Sequence, residues 1–207
     1  MKVLIACEYS GTVRDAFIAK GHDAMSCDIL PTDSPGPHYQ GDVMDVLGDG
    51  WDLMIAHPPC TYLSNAGACR MYPTKGVIDQ NRYLKAMDAK KFFMELLNCD
   101  ISKICIENPK PLNVVELPKE SQTIQPYMFG DPYTKKTLLW LKNLPPLIPT
   151  KVITENVVPF VPSGTGRKLG GASYGAAKRG NDSKNRSRFF QGIADAMADQ
   201  WGSSGQD

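Results

Sequence analysis

The sequence predicts an α/β fold in which helices flank a mostly parallel sheet. Short apolar runs of strand length, beginning with residues 2–6, alternate with stretches of helical periodicity, beginning with residues 12–20. The runs at 23–27 and 52–56 both end in polar or reactive residues, which is typical of parallel strands whose carboxyl edge carries a site. The chain has 207 residues, enough for a sizeable core, and we expect one domain over 1–207.

The second half of the chain continues this alternation. Residues 79–97 form the strongest predicted helix, because Leu84 and Leu96 belong to a set of apolar residues at helical spacing. Proline and glycine crowd residues 144–180, which predicts a loop-rich region. The remaining predicted elements are two strands and a closing helix, at 103–106, 136–141 and 191–201.

Composition and cysteine usage exclude several classes of protein. Hydrophobic residues make up 42% of the chain and charged residues 22%, as in ordinary soluble proteins. The longest apolar stretches are far too short to span a bilayer and the N-terminus lacks a long apolar signal segment, so we expect a cytoplasmic location and no membrane contact. The six cysteines contain no CxxC pair, which argues against a structural zinc site and against a disulfide scaffold.

Positive charge is concentrated in residues 163–188. This segment holds seven lysines and arginines but a single aspartate, whereas the whole chain has a net charge of +1. A segment rich in glycine and serine with that charge is either a solvated loop or a loop that contacts phosphates. On the second interpretation, the candidate DNA-binding residues are Arg167, Lys168, Lys178, Arg179 and Arg186.

A glycine-bearing loop follows the first predicted strand, in the sequence ACEYSG. Such a loop, followed by a helix N-terminus, accommodates the ligand in nucleotide-type cofactor sites, although Gly11 is also explained by a tight turn alone. Asp28 falls at the end of the second strand, where an acid can bind both hydroxyls of a ribose. Asp42 falls where a further polar group can meet an adenine, although each acid alone is also typical of a turn or a cap.

A cysteine follows two prolines in MIAHPPCTYLSNAG, residues 54–67. Prolines do not continue a central strand, so Pro58 and Pro59 end it and leave Cys60 at the edge of the sheet. An isolated cysteine is ordinarily an inert packed residue. Glu107, in the sequence IENP, also stands at the end of a predicted strand, so the fold can bring a thiol and a carboxyl group together at one edge.

This pair of groups has a specific chemical use. Thiolate addition at carbon 6 of cytosine makes carbon 5 nucleophilic, and a carboxylic acid at ring nitrogen 3 stabilises the adduct. A carboxylate as the sole neighbour would raise the pKa of the thiol, so a cation or a helix N-terminus is expected near Cys60. Arg70, Lys135 and Lys136 are the candidate cations.

With these motifs in their order along the chain, the sequence resembles the C5-cytosine DNA methyltransferase family. PPCTYLSNAG is similar to the catalytic segment of the family and implies Cys60 as the nucleophile. IENP resembles its Glu-Asn-Val element and implies Glu107 as the group that protonates or hydrogen-bonds the ring. YTKKTLLWL is similar to the segment that carries basic residues near the catalytic centre, which implies catalytic roles for Lys135 and Lys136.

The resemblance further implies a Rossmann-like fold and S-adenosylmethionine as the methyl donor. The family's first loop usually reads Phe-x-Gly-x-Gly, whereas this chain has Glu8 in place of the earlier glycine, and it has lysines where the later element has arginines. The implied cofactor-binding residues are Glu8, Tyr9, Ser10, Gly11, Asp28, Asp42 and Pro59.

Double-stranded DNA is the implied substrate, since carbon 6 is reached after the base is flipped out of the helix. Residues 61–76 are then the natural mobile loop, with Ser64 and Arg70 as DNA-binding residues. Residues 150–188 leave room for only a reduced basic target-recognition segment, which predicts a short or relaxed sequence context. We also expect a monomer, and an enzyme of restriction-modification or phage type.

Three alternatives stay open. Amino-group methylation is disfavoured because such enzymes generally have an aromatic residue after the two prolines, where this chain has Cys60. The thiol addition is also compatible with another one-carbon donor or with RNA. A catalytically inactive, methyltransferase-like DNA-binding or decoy protein is the alternative from a different class, and the altered first loop favours it.

Overall fold

The computed structural model describes residues 1–160 and 189–203 of the chain. The strands, numbered along the chain, are β1 (Lys2–Ala6), β2 (Asp23–Asp28), β3 (His38–Gln40), β4 (Leu53–Ala56), β5 (Lys103–Asn108), β6 (Gln122–Ile124), β7 (Tyr133–Thr134), β8 (Thr137–Lys142) and β9 (Val158–Pro159). The described helices are α1 (Thr12–Ala19), α2 (Ala68–Met71), α3 (Gln80–Asn98) and α4 (Gln191–Gly202). No helix within these residues is both long and apolar enough to span a membrane.

Seven of the strands form one sheet in the order β3-β2-β1-β4-β5-β8-β6. The strands from β1 to β5 pair in parallel, and β8 runs antiparallel between β5 and β6. The strand order reverses between β1 and β4, so a crevice opens there at the carboxyl ends of the strands, where ligands bind in open α/β sheets. The predicted α/β class is confirmed, with a Rossmann-like, mostly parallel sheet and flanking helices.

Helices bury both faces of the sheet, which explains why residues 3–6 of β1 are all apolar. Val3 and Ile5 pack into a core that includes α1 and α4, whereas Leu4 and Ala6 pack into the opposite core with α3. All four side chains are fully buried. A strand covered on both faces needs a continuous apolar run, which is the pattern that predicted it.

The predicted strands and long helices are all present, with ends that differ from prediction by at most two residues. Leu84 is an exception to the predicted packing, since it is 61% exposed and does not belong to the core. The buried face of α3 is formed instead by Ala86, Phe93 and Leu96. The strands β3, β6, β7 and β9 were not predicted, because two or three residues are too short to show a period.

Arg14 on α1 is fully buried and holds the loop between β2 and β3 in place. Its guanidinium donates to Ser26 Oγ at 3.1 Å and to Thr32 Oγ1 at 3.3 Å, and to the carbonyl oxygens of Ser34 and Pro35 at 3.0 and 3.3 Å. A buried arginine with this many acceptors has its desolvation offset by hydrogen bonds. The loop that follows the acidic end of β2 is therefore fixed against α1.

The segment after Cys60, expected to be a loop, contains secondary structure. A 3-10 turn at Asn65–Gly67 leads into α2, and Leu63 and Met71 are fully buried. Asn65 N donates to the carbonyl oxygen of Lys110 at 2.8 Å, and Leu112 N donates to that of Leu63 at 2.7 Å. These bonds tie the segment after β4 to the segment after β5.

Candidate active site

The ends of β4 and β5 are joined side by side at the carboxyl edge of the sheet. Ala56 pairs with Ile106 in parallel register, so the next residues along each strand, His57 and Glu107, are neighbours. His57 Nδ1 lies 3.5 Å from Glu107 Oε2, and one residue further on Asn108 Nδ2 donates to the Pro58 carbonyl oxygen at 3.1 Å. The HPPC and ENP sequences are thus held together by two successive side-chain contacts.

Cys60 lies directly after this junction and is exposed, as expected from a strand that ends in two prolines. Its carbonyl oxygen accepts from Leu63 N at 3.1 Å and from Ser64 N at 2.9 Å, so Cys60 begins a tight turn. Pro58 is buried and Pro59 is exposed. The chain therefore emerges from the sheet between Pro58 and Cys60, with the thiol-bearing residue at the surface.

Electrostatic neighbours keep Glu107 ionised. Burial would raise the pKa of this carboxyl, but the hydrogen bond and charge of His57, together with the charge of Lys135, outweigh it and lower the pKa below its ordinary value. The side chains of Glu107 and His57 are 16% and 13% exposed, so water screens this pair only partly. Glu107 is a carboxylate at neutral pH when no ligand is bound.

Two polar atoms at the junction are buried without a hydrogen-bond partner in the described part of the chain. They are His57 Nε2 and Asn108 Oδ1. Native proteins pair almost all such atoms, and the exceptions cluster where a site has a role besides packing. The junction is thus polar and incompletely satisfied, as expected of a site that receives a ligand.

Lys135 and Lys136 are placed differently, although they are adjacent. Lys135 is half-buried, acts on the pKa of Glu107, and its Nζ lies 5.5 Å from the ring centroid of Phe160 and 5.6 Å from that of Phe190. Lys136 is exposed. Of the two predicted catalytic lysines, the structure brings Lys135 to Glu107, and the role of Lys136 stays a prediction.

An aromatic cluster borders the junction. The rings of His57 and Phe189 are 4.7 Å apart, and Phe160 and Phe190 are also 4.7 Å apart. Phe160 and Phe189 are the residues on either side of the basic segment 161–188. That segment therefore leaves and re-enters the described structure beside Glu107 and Lys135.

The end of β1 lies next to the same junction, across the crevice where the strand order reverses. His57 N donates to the Ala6 carbonyl oxygen at 2.9 Å. Burial raises the pKa of the Cys7 thiol to about 12, with further contributions from Asp28, Cys27 and Asp42. Both predicted cofactor-binding aspartates are thus near enough to act on Cys7, the residue that directly follows β1.

The carboxylate of Glu8 fills the N-terminus of α1. It accepts from Val13 N at 2.8 Å, from Arg14 N at 3.3 Å and from Ser10 Oγ at 3.0 Å, and Glu8 is only 4% exposed. A helix N-terminus of this kind is an anion site, and in dinucleotide-binding folds it receives a phosphate. Here the chain supplies its own anion, which leaves no room for a phosphate at this point.

The two aspartates keep part of their hydrogen-bonding capacity. Asp28 Oδ1 accepts from Leu30 N at 2.9 Å, and Asp42 Oδ1 accepts from Met44 N at 3.0 Å. A carboxylate has a second oxygen and further lone pairs. Ile29, directly after Asp28, is 75% exposed and offers an apolar surface beside these acids.

The remaining predicted residues are dispersed around these groups. Tyr9 is half-buried, and Gly11 adopts a left-handed conformation with φ 75° at the start of α1. Ser64 is 8% exposed, with its hydroxyl accepting from Ala66 N at 3.1 Å, whereas Arg70 on α2 is exposed. The predicted DNA-binding residues outside the described ranges are Arg167, Lys168, Lys178, Arg179 and Arg186.

His57 and Asn108 were missed by the sequence analysis. Both belong to the HPPC and ENP motifs, and they stand at successive register positions, His57 beside Glu107 and Asn108 beside Pro58. Parallel pairing of the two predicted strands would have placed residue 57 opposite residue 107, so the signal was present in the spacing. Within the described ranges, His, Cys, Asp and Glu form no group of three or more that would hold a metal ion.

The geometry defines a Rossmann-like α/β fold with polar groups at the switch point and at the neighbouring strand ends. No protein-family model matches the sequence, and no curated protein matches it. Among solved structures, the chain is similar to a crystal structure of a triple mutant of Spodoptera frugiperda DNMT2, with 16% identity and a TM-score of 0.36. The match covers 76% of this chain and 56% of that one, and a likeness this distant adds nothing to the functional argument.

The contact between His57 and Glu107 predicts how the pKa of the Glu107 carboxyl responds to substitution of its neighbours. In the wild-type protein, the titration midpoint of Glu107 is expected below its ordinary value of 4.5. His57→Gln removes the largest lowering influence and is expected to move the midpoint upward, and Lys135→Gln is expected to move it upward by less. The carboxyl carbon resonance, identified by its loss in Glu107→Gln, measures the midpoint by NMR.

His22→Gln is the matched control, because His22 packs against Phe17 on α1, away from the junction. It is expected to leave the Glu107 midpoint unchanged. A midpoint that is the same in wild type and His57→Gln would contradict the proposed electrostatic coupling.

Proposed function

We propose that this chain is a DNA (cytosine-5) methyltransferase that uses S-adenosylmethionine as methyl donor. The observation that supports this most strongly is the junction at the ends of β4 and β5. At this junction the segment that leads to Cys60 lies beside Glu107 at the carboxyl edge of the sheet, and the His57 side chain contacts the Glu107 carboxylate. A thiol that follows one strand and a carboxyl group on the next supply the two groups that activation of cytosine at carbon 5 needs.

Cys60 is the proposed nucleophile. Its thiolate adds to carbon 6 of the ring, which moves electron density to carbon 5 and to ring nitrogen 3. After carbon 5 has been methylated, loss of its proton expels the thiolate and restores the aromatic ring. The exposure of Cys60 suits attack on a base that enters from solvent.

Glu107 is the proposed group at ring nitrogen 3. Glu107 is ionised in the free protein. The proton that it shares with ring nitrogen 3 therefore comes either from a neighbouring side chain or from the bound substrate. His57 Nδ1 lies 3.5 Å from Glu107 Oε2 and is placed to hold that proton. Lys135 provides a fixed positive charge near the negative charge that develops on the adduct.

The residues around the end of β1 fit S-adenosylmethionine. When bound, this cofactor supplies an electrophilic methyl group on a sulfonium, and it carries no phosphate. Asp28 and Asp42 offer carboxylate oxygens for ribose hydroxyls and for the adenine edge, and Ile29 offers an apolar face for the base. The carboxylate of Glu8 at the N-terminus of α1 disfavours a dinucleotide and is compatible with a phosphate-free cofactor.

DNA is the proposed substrate because the sequence of residues 161–188 is strongly basic and the residues that flank this segment lie beside the proposed catalytic groups. The basic segment 161–188 is attached at Phe160 and Phe189, beside Glu107 and Lys135. A flipped base costs roughly a few kcal/mol of stacking and pairing, which phosphate contacts and pocket contacts offset. With few residues available to read base edges, specificity is limited to a short context.

Transfer of a labelled methyl group from S-adenosylmethionine to plasmid DNA, followed by identification of the modified base, tests the proposal. The expected product is 5-methylcytosine. Glu107→Gln is expected to lower kcat/KM about 10²–10⁴-fold, since it removes a group that acts in proton transfer. Glu95→Gln on α3 makes the same change on an exposed helix face and is expected to leave the rate unchanged.

Other products would point to other functions. Methylated amino groups would contradict addition at carbon 6, and DNA binding without any transfer would favour a decoy protein. Bisulfite sequencing of the product is expected to show methylation within a context of about one or two bases. Methylation confined to a stringent site of about four or more base pairs would require extensive recognition of base edges and would contradict the short context.

The cofactor site is tested separately from the chemistry. Asp28→Asn is expected to weaken S-adenosylmethionine binding by roughly 10- to 150-fold, since it removes a charge-assisted hydrogen bond worth roughly 1.5–3 kcal/mol. Asp23→Asn is the matched control, because Asp23 begins the same strand at the opposite edge of the sheet. Isothermal titration calorimetry measures both, and equal affinities in the two variants would contradict this site.

A further inference from the structure

A basic depression lies between the segment that follows Cys60 and the start of α3. It has a volume of about 260 Å³ and is open to solvent. The residues that line it are Tyr62, Arg70, Asp79, Asn81, Arg82 and Lys85. Three of these six carry a positive charge and one a negative charge, and Arg70 is among the residues that the sequence predicts to bind DNA.

The acidic side chain that lines the depression, Asp79, already accepts a hydrogen bond from the main chain. Asp79 is the N-cap of α3, and its Oδ1 accepts from Arg82 N at 2.8 Å. The first turn of α3 contains no other acidic residue. Since a helix N-terminus carries a partial positive charge that Asp79 offsets, the three cationic side chains set the charge of the depression.

Tyr62 orients two of the cations. The guanidinium carbon of Arg82 lies 5.1 Å from the ring centroid of Tyr62, and the Lys85 ammonium lies 5.7 Å from it. Both distances are in the range of cation–π contacts. Proteins that bind nucleic acid strands combine a positively charged groove along the backbone with aromatic side chains and cation–π contacts from arginine.

One guanidinium nitrogen of Arg82 is hydrogen-bonded to the main chain, and another has no acceptor in the described part of the chain. Its Nη2 donates to the Thr61 carbonyl oxygen at 2.7 Å, and a Cβ added at Gly67 would lie 2.6 Å from the same nitrogen. Its Nε is buried and has no acceptor within residues 1–160 and 189–203. A guanidinium with an unpaired donor is stabilised when an anion binds beside it.

We propose that this depression binds one phosphate of the DNA strand that carries the target cytosine. The inference rests on the proposed function, which brings a flipped nucleotide to Cys60, and Thr61 and Tyr62 directly follow that residue. Arg70, Arg82 and Lys85 bind the phosphate oxygens, and Tyr62 holds Arg82 and Lys85 in position. The contact fixes the strand beside the extruded base without reading sequence.

The dependence of DNA affinity on salt tests this proposal. The test variant is the double substitution Arg70→Gln/Lys85→Gln, which spares Arg82 because Arg82 also anchors the Thr61 carbonyl oxygen. Removal of two of the three cations is expected to weaken the single phosphate contact and to reduce the slope of log affinity against log salt by up to about 0.9. Affinity is expected to fall equally for duplexes of unrelated sequence, measured by fluorescence anisotropy in a series of KCl concentrations.

Lys91→Gln is the matched control, because Lys91 is on the same helix, its side chain is 78% exposed, and it does not line the depression. It is expected to keep the wild-type slope. Retained binding of S-adenosylmethionine shows that the double variant is folded.

The outcomes separate this inference from the proposed function. A wild type that methylates DNA, together with a double variant whose salt slope is unchanged, overturns the phosphate site and leaves the methyltransferase proposal standing. A wild type that does not methylate DNA, but whose slope falls in the double variant, supports the phosphate site and contradicts the proposed function. If the double substitution weakens the binding of free deoxycytidine monophosphate but not of duplex DNA, the depression binds a free nucleotide. That result would overturn the proposal that it binds a phosphate of the DNA backbone.

Discussion

Parallel pairing of β4 with β5 sets the position of every group at the proposed catalytic edge. Because Ala56 pairs with Ile106, His57 meets Glu107 and the Pro58 carbonyl oxygen meets Asn108. A slip of one residue would turn each of these side chains to the opposite face of the sheet. The register is fixed by the buried apolar residues of both strands, so the core of the protein determines the geometry of its site.

The same register connects the two halves of the site. His57 donates its backbone N–H to Ala6 at the end of β1, and Glu8 donates its own to Cys27 at the end of β2, both within 3.0 Å. The proposed cofactor side and the proposed base side are therefore neighbouring parts of one edge rather than separate regions. Methyl transfer needs this proximity, because donor and ring have to meet without a carrier between them.

Prediction from the sequence succeeded where a pattern extended over several residues. The strands of four or more residues and the three longer helices were found, and the prolines after β4 correctly placed Cys60 at the surface. The environment of Glu8 could not be predicted, because its bonds to Val13 and Arg14 depend on how the loop folds back on α1. His57 was missed because its role appears only when two strands are paired.

Covalent trapping tests the central claim, that Cys60 adds to the cytosine ring, most directly. Duplex DNA that contains 5-fluorocytosine cannot lose the substituent at carbon 5, so an enzyme that has transferred a methyl group stays attached. The account predicts a denaturant-stable adduct that requires S-adenosylmethionine and maps to Cys60. The adduct should be lost in Cys60→Ala and retained in Cys69→Ala, which removes another exposed cysteine from the same segment. An adduct that persists in Cys60→Ala, or DNA binding with no adduct at all, would contradict the account.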